Sequence, residues 1–175
     1  MTPSAATPHF APRCSARTPL DAGLLALASA LCVVALAGPT RAQQPPPTPA
    51  PDSKLTAEIH TNSDRGFVVC ALFANATGFP SDGATRSVAH LRLRPAHHRV
   101  TCTFPGLTPG TYAISAFHDE DSDGELDTGL FGIPTEGWGT SRNAHGTMGP
   151  PHWADARFAY RGGAIHLREP IALNY

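Results

Sequence analysis

The chain has 175 residues, with 13 basic against 14 acidic side chains and a formal net charge of −1. That length allows one domain with a single core plus terminal extensions. The slightly anionic balance argues against nucleic-acid binding.

The first 42 residues read as a signal peptide. Arg13 and Arg17 precede LLALASALCVVALA, residues 24–37, an uncharged run that falls short of the roughly 20 residues of a bilayer-spanning helix. Ala37-Gly38 and Ala42 offer cleavage points, with Ala42 favoured, and retention as an uncleaved anchor is the alternative. Cys32 follows Leu31, where a lipoprotein signal requires a small residue, so lipid attachment is not expected. Cleavage predicts a periplasmic or secreted product with no stable membrane span. Residues 43–53, QQPPPTPAPDS, form a Pro-rich linker with nothing apolar to bury. Residues 54–175 remain as one domain.

Period-2 alternation runs through that domain and helical periodicity is hard to find. KLTAEIHT (54–61) alternates Leu55, Ala57 and Ile59 with polar neighbours, and NSDRG supplies a turn. GFVVCALFA (66–74) is apolar on both faces, as a central strand is. SVAHLRLR (87–94) alternates again with Arg92 and Arg94 outward, and the paired His97 and His98 mark an exposed turn. HRVTCTF (98–104) and TYAISAFH (111–118) flank the turn PGLTPG, and GAIHLREPIALNY at the end is one strand interrupted at Pro170. The pattern predicts an all-β fold, a single sandwich of about seven strands. Cys70 and Cys102 fall on apolar faces of two of these strands, and a disulfide between them is expected in an oxidising compartment, two buried thiols being the alternative.

HDEDSDGELD, residues 118–127, holds six of the thirteen acids that follow residue 42. Counted from Asp119, carboxylates fall at positions 1, 3, 5 and 9, Gly124 at 6 and a backbone carbonyl, that of Glu125, at 7, the ligand order of an EF-hand calcium loop. Asp119, Asp121, Asp123 and Asp127 are expected to offer side-chain oxygens to calcium, with Glu120 and the Glu125 side chain facing solvent. Position 12, where a bidentate Glu closes the shell, is Leu130, so water or Glu136 completes it. The alternative is a solvated acidic turn. Residues 129–151, GLFGIPTEGWGTSRNAHGTMGPP, hold too many glycines and prolines for a strand or helix, yet carry Phe131, Ile133, Trp138 and Met148. This segment reads as an ordered loop over one end of the sandwich.

The run from FPGLTPGTYAISAFHDEDSDGELD to GWGTSRNA, with the order PGxY, FHDxDxDGxLD, GxGxSxNA, resembles the secreted bacterial proteins grouped as domain of unknown function family 2141. The likeness covers nearly all of residues 54–175. It implies an exported β-sandwich of prealbumin-like or immunoglobulin-like outline and attaches no activity. Relatives tend to place Asn where this chain has Asp121 and Asp123, which strengthens the case for a metal.

Other constellations are weaker. His118, His145 and His152 could gather on a transition metal, but no HxH or HExxH spacing supports them. Ser141, His145 and Asp155 lack the context of a nucleophile elbow. Trp138 and Trp153, with Arg142, Asn143 and His118 nearby in sequence, could present a platform to a ligand. The expected function is an exported, non-enzymatic module, calcium-stabilised, binding an envelope protein or glycan or serving a structural role in the cell envelope. A small hydrolase or transition-metal protein using His118 and the same loops is the alternative.

Overall fold

The computed structural model describes residues 48–175. The expected signal peptide and the linker through residue 47 lie outside the described residues. Two sheets face each other. The first has the order β4-β1-β8, from β4 (Arg99–Pro105), β1 (Lys54–His60) and β8 (Ala164–His166), with β9 (Ile171–Ala172) also on β1. The second has the order β3-β2-β5-β6, from β3 (Ala89–Leu93), β2 (Phe67–Phe73), β5 (Gly110–Asp119) and β6 (Trp138–Thr140), with β7 (Phe158–Tyr160) also on β5. Two single-turn helices, α1 (Gly83–Arg86) and α2 (Trp153–Ala156), lie in connections. The expected all-β sandwich is therefore the observed fold.

The alternation dictates which side of each strand is buried. Leu55, Ala57 and Ile59 of β1 and Val100, Cys102 and Phe104 of β4 point inward, against Val68, Cys70 and Leu72 of β2 and Ile114 and Ala116 of β5. Cys70 and Cys102 form a disulfide, with Cα atoms 6.6 Å apart, that staples β2 of one sheet to β4 of the other. Closing that loop stabilises the fold by roughly 3.5 to 4 kcal/mol on a chain-entropy estimate.

One expectation is corrected. The segment 129–151 is not loop throughout: Trp138–Thr140 is strand β6, antiparallel to β5 with Ser115 opposite Thr140. Gly139 makes this possible, because a Cβ there would stand 2.6 Å from the Ala172 carbonyl. The C-terminal strand is indeed interrupted at Pro170, and both pieces, β8 and β9, run parallel to β1. The exposed turn at His97 and His98 is a tight hairpin with both residues at positive φ, where Asn and Gly are usual. The Asp64 carboxylate compensates by accepting both backbone N–H groups, at 3.0 and 2.6 Å, and these bonds, His98 first, hold its carboxyl below the usual range.

Candidate metal centre and adjoining groove

The face of the second sheet that points away from the core is built from side chains paired across strands. Ala71, Ser115 and Thr140 lie in one row, and Arg92, Val69, Phe117 and Trp138 in the next. A groove of about 410 Å³ runs over this face. One rim is Pro80, Ser81, Gly83 and Ala84, pinned where the Ser115 hydroxyl donates to the Pro80 carbonyl at 2.9 Å. The other rim is the acidic loop, through Gly124, Glu125, Leu126 and Thr128. An apolar floor with a few polar groups, here His90, Ser115 and Thr140, is the usual make-up of a small-ligand site.

The acidic loop starts where β5 ends. Asp119 is fully buried, and its Oδ2 accepts from Arg92 Nη2 at 2.8 Å and Nε at 3.3 Å. The same Nη2 donates to the Ser122 carbonyl at 3.0 Å, and the guanidinium lies 3.6 Å over the Phe67 ring. Gly66, at φ 59°, lets this corner close, since a Cβ there would collide with the Asp119 carbonyl. Beyond Asp119 the loop tightens by two successive Asp turns: Asp121 Oδ1 accepts the Asp123 N–H at 3.1 Å, and Asp123 Oδ1 accepts the Glu125 N–H at 2.8 Å. Gly124 follows at φ 91°.

These turns gather three of the expected ligands. One carboxylate oxygen each of Asp119, Asp121 and Asp123 lies within 4.8 Å of the others. Asp119 Oδ1 is buried and has no hydrogen-bond partner. An anionic oxygen left so is costly unless a cation or water completes it. Glu125 and Asp127 lie outside this trio, Glu125 on the rim of the groove.

Glu136 takes a different part from that expected of it. Its carboxylate clasps the two ends of the loop, Oε1 accepting the Glu120 N–H at 2.8 Å and Oε2 the Asp127 N–H at 3.2 Å. Burial pushes its carboxyl above the usual range; the two amide donors work the other way, and the charges of Asp127 and Asp119 add to the rise. Glu120 was expected to face solvent. Its carboxylate instead turns back to within 3.5 Å of His118 Nδ1, with about 29% of the side chain exposed.

His118 is fully buried and occupied at both nitrogens, by the Arg65 carbonyl at Nε2 and the Tyr175 hydroxyl at Nδ1, each at 2.8 Å. The carbonyl can only accept, so Nε2 carries a proton. The Tyr175 hydroxyl also accepts the Asn62 N–H at 3.0 Å, and burial is the first cause of its raised pKa. His118 thus anchors the last residue of the chain and the β1–β2 turn beneath the acidic loop.

The remaining candidates are dispersed. Trp138 lines the groove, whereas Trp153 packs edge-on against Phe79 with centroids 5.8 Å apart. Arg142 donates to the Arg157 carbonyl, and the Asn143 amide spans the Pro170 carbonyl and the Ala172 N–H, fixing β9. Ser141 is buried, its hydroxyl donating to the Ala156 carbonyl and accepting the Ile114 N–H. His145 and His152 are both exposed, each on a different side of residues 146–151. Arg92 is the residue whose part the sequence hides: the period of β3 places it outward, but nothing local names Asp119 as its partner.

A family model described as an uncharacterized protein conserved in bacteria, DUF2141, matches residues 59–167. No curated protein and no solved structure matches the chain.

Proposed function

Since the chain belongs to the bacterial family DUF2141, whose description carries no activity, we propose that it is an exported, non-enzymatic β-sandwich module in which calcium orders the acidic loop as one wall of a binding groove. The observation that carries this reading is Asp119, buried with one oxygen on Arg92 and the other unpartnered, beside oxygens of Asp121 and Asp123. A hard cation with oxygen ligands satisfies that oxygen and relieves the crowding of the carboxylates. Export is supported by the Cys70–Cys102 disulfide, a bond that persists in oxidising compartments. Among the described residues no helix is long and apolar enough to cross a membrane.

A binding role is favoured over hydrolysis because His118 and Ser141 are committed to holding the fold. The groove floor, with Trp138 beside hydroxyls and His90, suits an envelope glycan or a protein side chain. With Leu130 in place of a closing carboxylate, the expected dissociation constant is on the order of 0.1 to 1 mM, the range of extracellular modules.

The test is thermal unfolding in millimolar calcium against chelator. Calcium at about ten times its dissociation constant should add roughly 1.4 kcal/mol, and Asp121→Asn with Asp123→Asn should abolish the gain. An equal gain in the variant, or none in the wild type, removes the metal from the reading. Turnover in a panel of ester, glycoside and peptide substrates, lost in Asp119→Ala, would replace the binding module with an enzyme.

A further inference from the structure

The groove beside the acidic loop is one-sided in what it offers a ligand. Its floor is apolar, with Val69 and Ala71 buried and Phe117 and Trp138 half-buried. The two hydroxyls set in that floor have their protons committed elsewhere: Ser115 donates to the Pro80 carbonyl at 2.9 Å and Thr140 to the Ala144 carbonyl at 3.0 Å. Toward a ligand, therefore, both accept and neither donates. Glu125 on the rim adds a carboxylate, which only accepts, while the rim hydroxyls of Ser81 and Thr128 serve in either role. Among the described residues that line the groove none is Lys or Arg, and His90 is the one base. The neighbouring loop carries the same sign as Glu125: six carboxylates stand against the Arg92 guanidinium bonded to the loop, and one divalent ion would not reverse the excess.

We propose that the groove binds a small organic ammonium ion, a protonated amine carried on an apolar body. The proposal rests on the reading of the groove as a binding site and narrows its occupant to one chemistry. An ammonium brings three donors and no acceptor, the complement of two hydroxyls and a carboxylate that can only accept. The anionic rim attracts its charge, and the apolar floor strengthens that attraction by keeping water away. The rings of Phe117 and Trp138 favour a cation and cover its apolar body alike. An anion meets the loop with the wrong sign. A neutral sugar needs donors as well as acceptors for its hydroxyls, and the hydroxyls fixed in the floor supply acceptors alone. The recess, about 410 Å³ between two rims, has the size of a small-ligand cleft, which selects a free amine over the surface of a docked protein.

Titrations of the exported chain followed by amide and indole NMR shifts test this with three probes of one shape: 2-phenylethylamine, a cation; 2-phenylethanol, neutral; and 3-phenylpropionate, an anion. Each is run in millimolar calcium and in chelator, and affinities are compared in whichever condition binds the tighter, so that the outcome does not depend on an ion in the loop. The expected result is that the amine shifts the signals of Ser115, Thr140 and Trp138, that the alcohol binds at least about ten-fold more weakly, and that the anion does not bind. Ala84→Arg and Glu125→Gln, both at exposed rim positions, should each weaken the amine several-fold with Tm unchanged. An amine no tighter than the anion, or one that ignores both substitutions, overturns the proposal. So does a capped lysine peptide at least about ten-fold tighter than the free amine, which would make the occupant a protein side chain. If 2-phenylethanol or cellobiose shifts the groove signals as strongly as the amine, the ammonium proposal alone fails; if no probe shifts any groove signal, the reading of the groove as a binding site fails with it.

Discussion

Arg92→Met is the substitution that most directly probes the acidic corner, because it keeps the volume of the side chain and deletes its charge. The guanidinium donates twice to Asp119 Oδ2 and once to the Ser122 carbonyl. Removing one member of a buried ion pair costs about 3 to 5 kcal/mol, since the other charge stays in the interior without compensation. Arg92 is 38% exposed while Asp119 is 0% exposed, so water screens part of that penalty and about 2 to 4 kcal/mol remains. For a domain of this size the drop in Tm is on the order of 10 °C. In calcium the ion becomes a second counter-charge for Asp119, and the loss should shrink to half or less. Asp119→Asn in the Arg92→Met background should recover stability, because it takes the stranded charge away. Denaturant titrations of the three proteins, each in chelator and in calcium, measure all of these quantities. A loss below about 1 kcal/mol in chelator would show that Asp119 does not depend on Arg92. An equal loss with and without calcium would show that the ion and Arg92 do not share that carboxylate.

Three further outcomes follow from the geometry. Reducing Cys70–Cys102, or replacing both cysteines by alanine, should cost roughly 3 to 4 kcal/mol by denaturant titration, and two alkylatable thiols in the unreduced protein would deny the bridge. Tyr175→Phe strands His118 Nδ1 and the Asn62 N–H, so about 1 to 3 kcal/mol should be lost, with a change in the His118 ring signals by NMR; unchanged stability would mean that water replaces the hydroxyl. Glu136 holds its proton more tightly folded than unfolded, where the ordinary value is 4.5. The folded state therefore carries the excess proton, and stability should decline as pH rises from that value through the raised folded pKa. Measured in chelator against Glu136→Gln, the wild type should lose ground across that window, and a difference flat in pH would refute the assignment.

The sandwich was legible because burial is a local property of a strand. Leu55, Ala57 and Ile59 announce an inward face by spacing alone, and β4 repeats the pattern at Val100, Cys102 and Phe104. The same spacing put the two cysteines on inward faces, and sheet packing then had only to bring them together. Strand β6 escaped because only three residues, one of them Gly139, take part, and β5 rather than any alternation of their own makes them a strand. Segments that owe their conformation to a neighbour carry no period to read.

The acidic loop divides along the same line. Its turns were readable, since each Asp side chain bonds an amide two residues ahead and Gly124 supplies the positive φ that the ligand order calls for. What binds the loop to the domain was not. Arg92 lies 27 positions before Asp119 and is reached only because β2 sets β3 on one side and β5 on the other, so the pair meets across the β2 residues Phe67 and Val69. Glu136, at 16 positions from Glu120 and 9 from Asp127, closes the loop from the bend just before β6. These contacts fix what a cation would meet. Arg92 already neutralises one oxygen of Asp119, and Glu136 is engaged with amides, so the free oxygen of Asp119 together with Asp121 and Asp123 offers a partial shell. A shell of three carboxylates binds weakly and exchanges ligands readily. That suits an ion whose remaining positions are filled by water, with Leu130 rather than a carboxylate at the twelfth position of the loop.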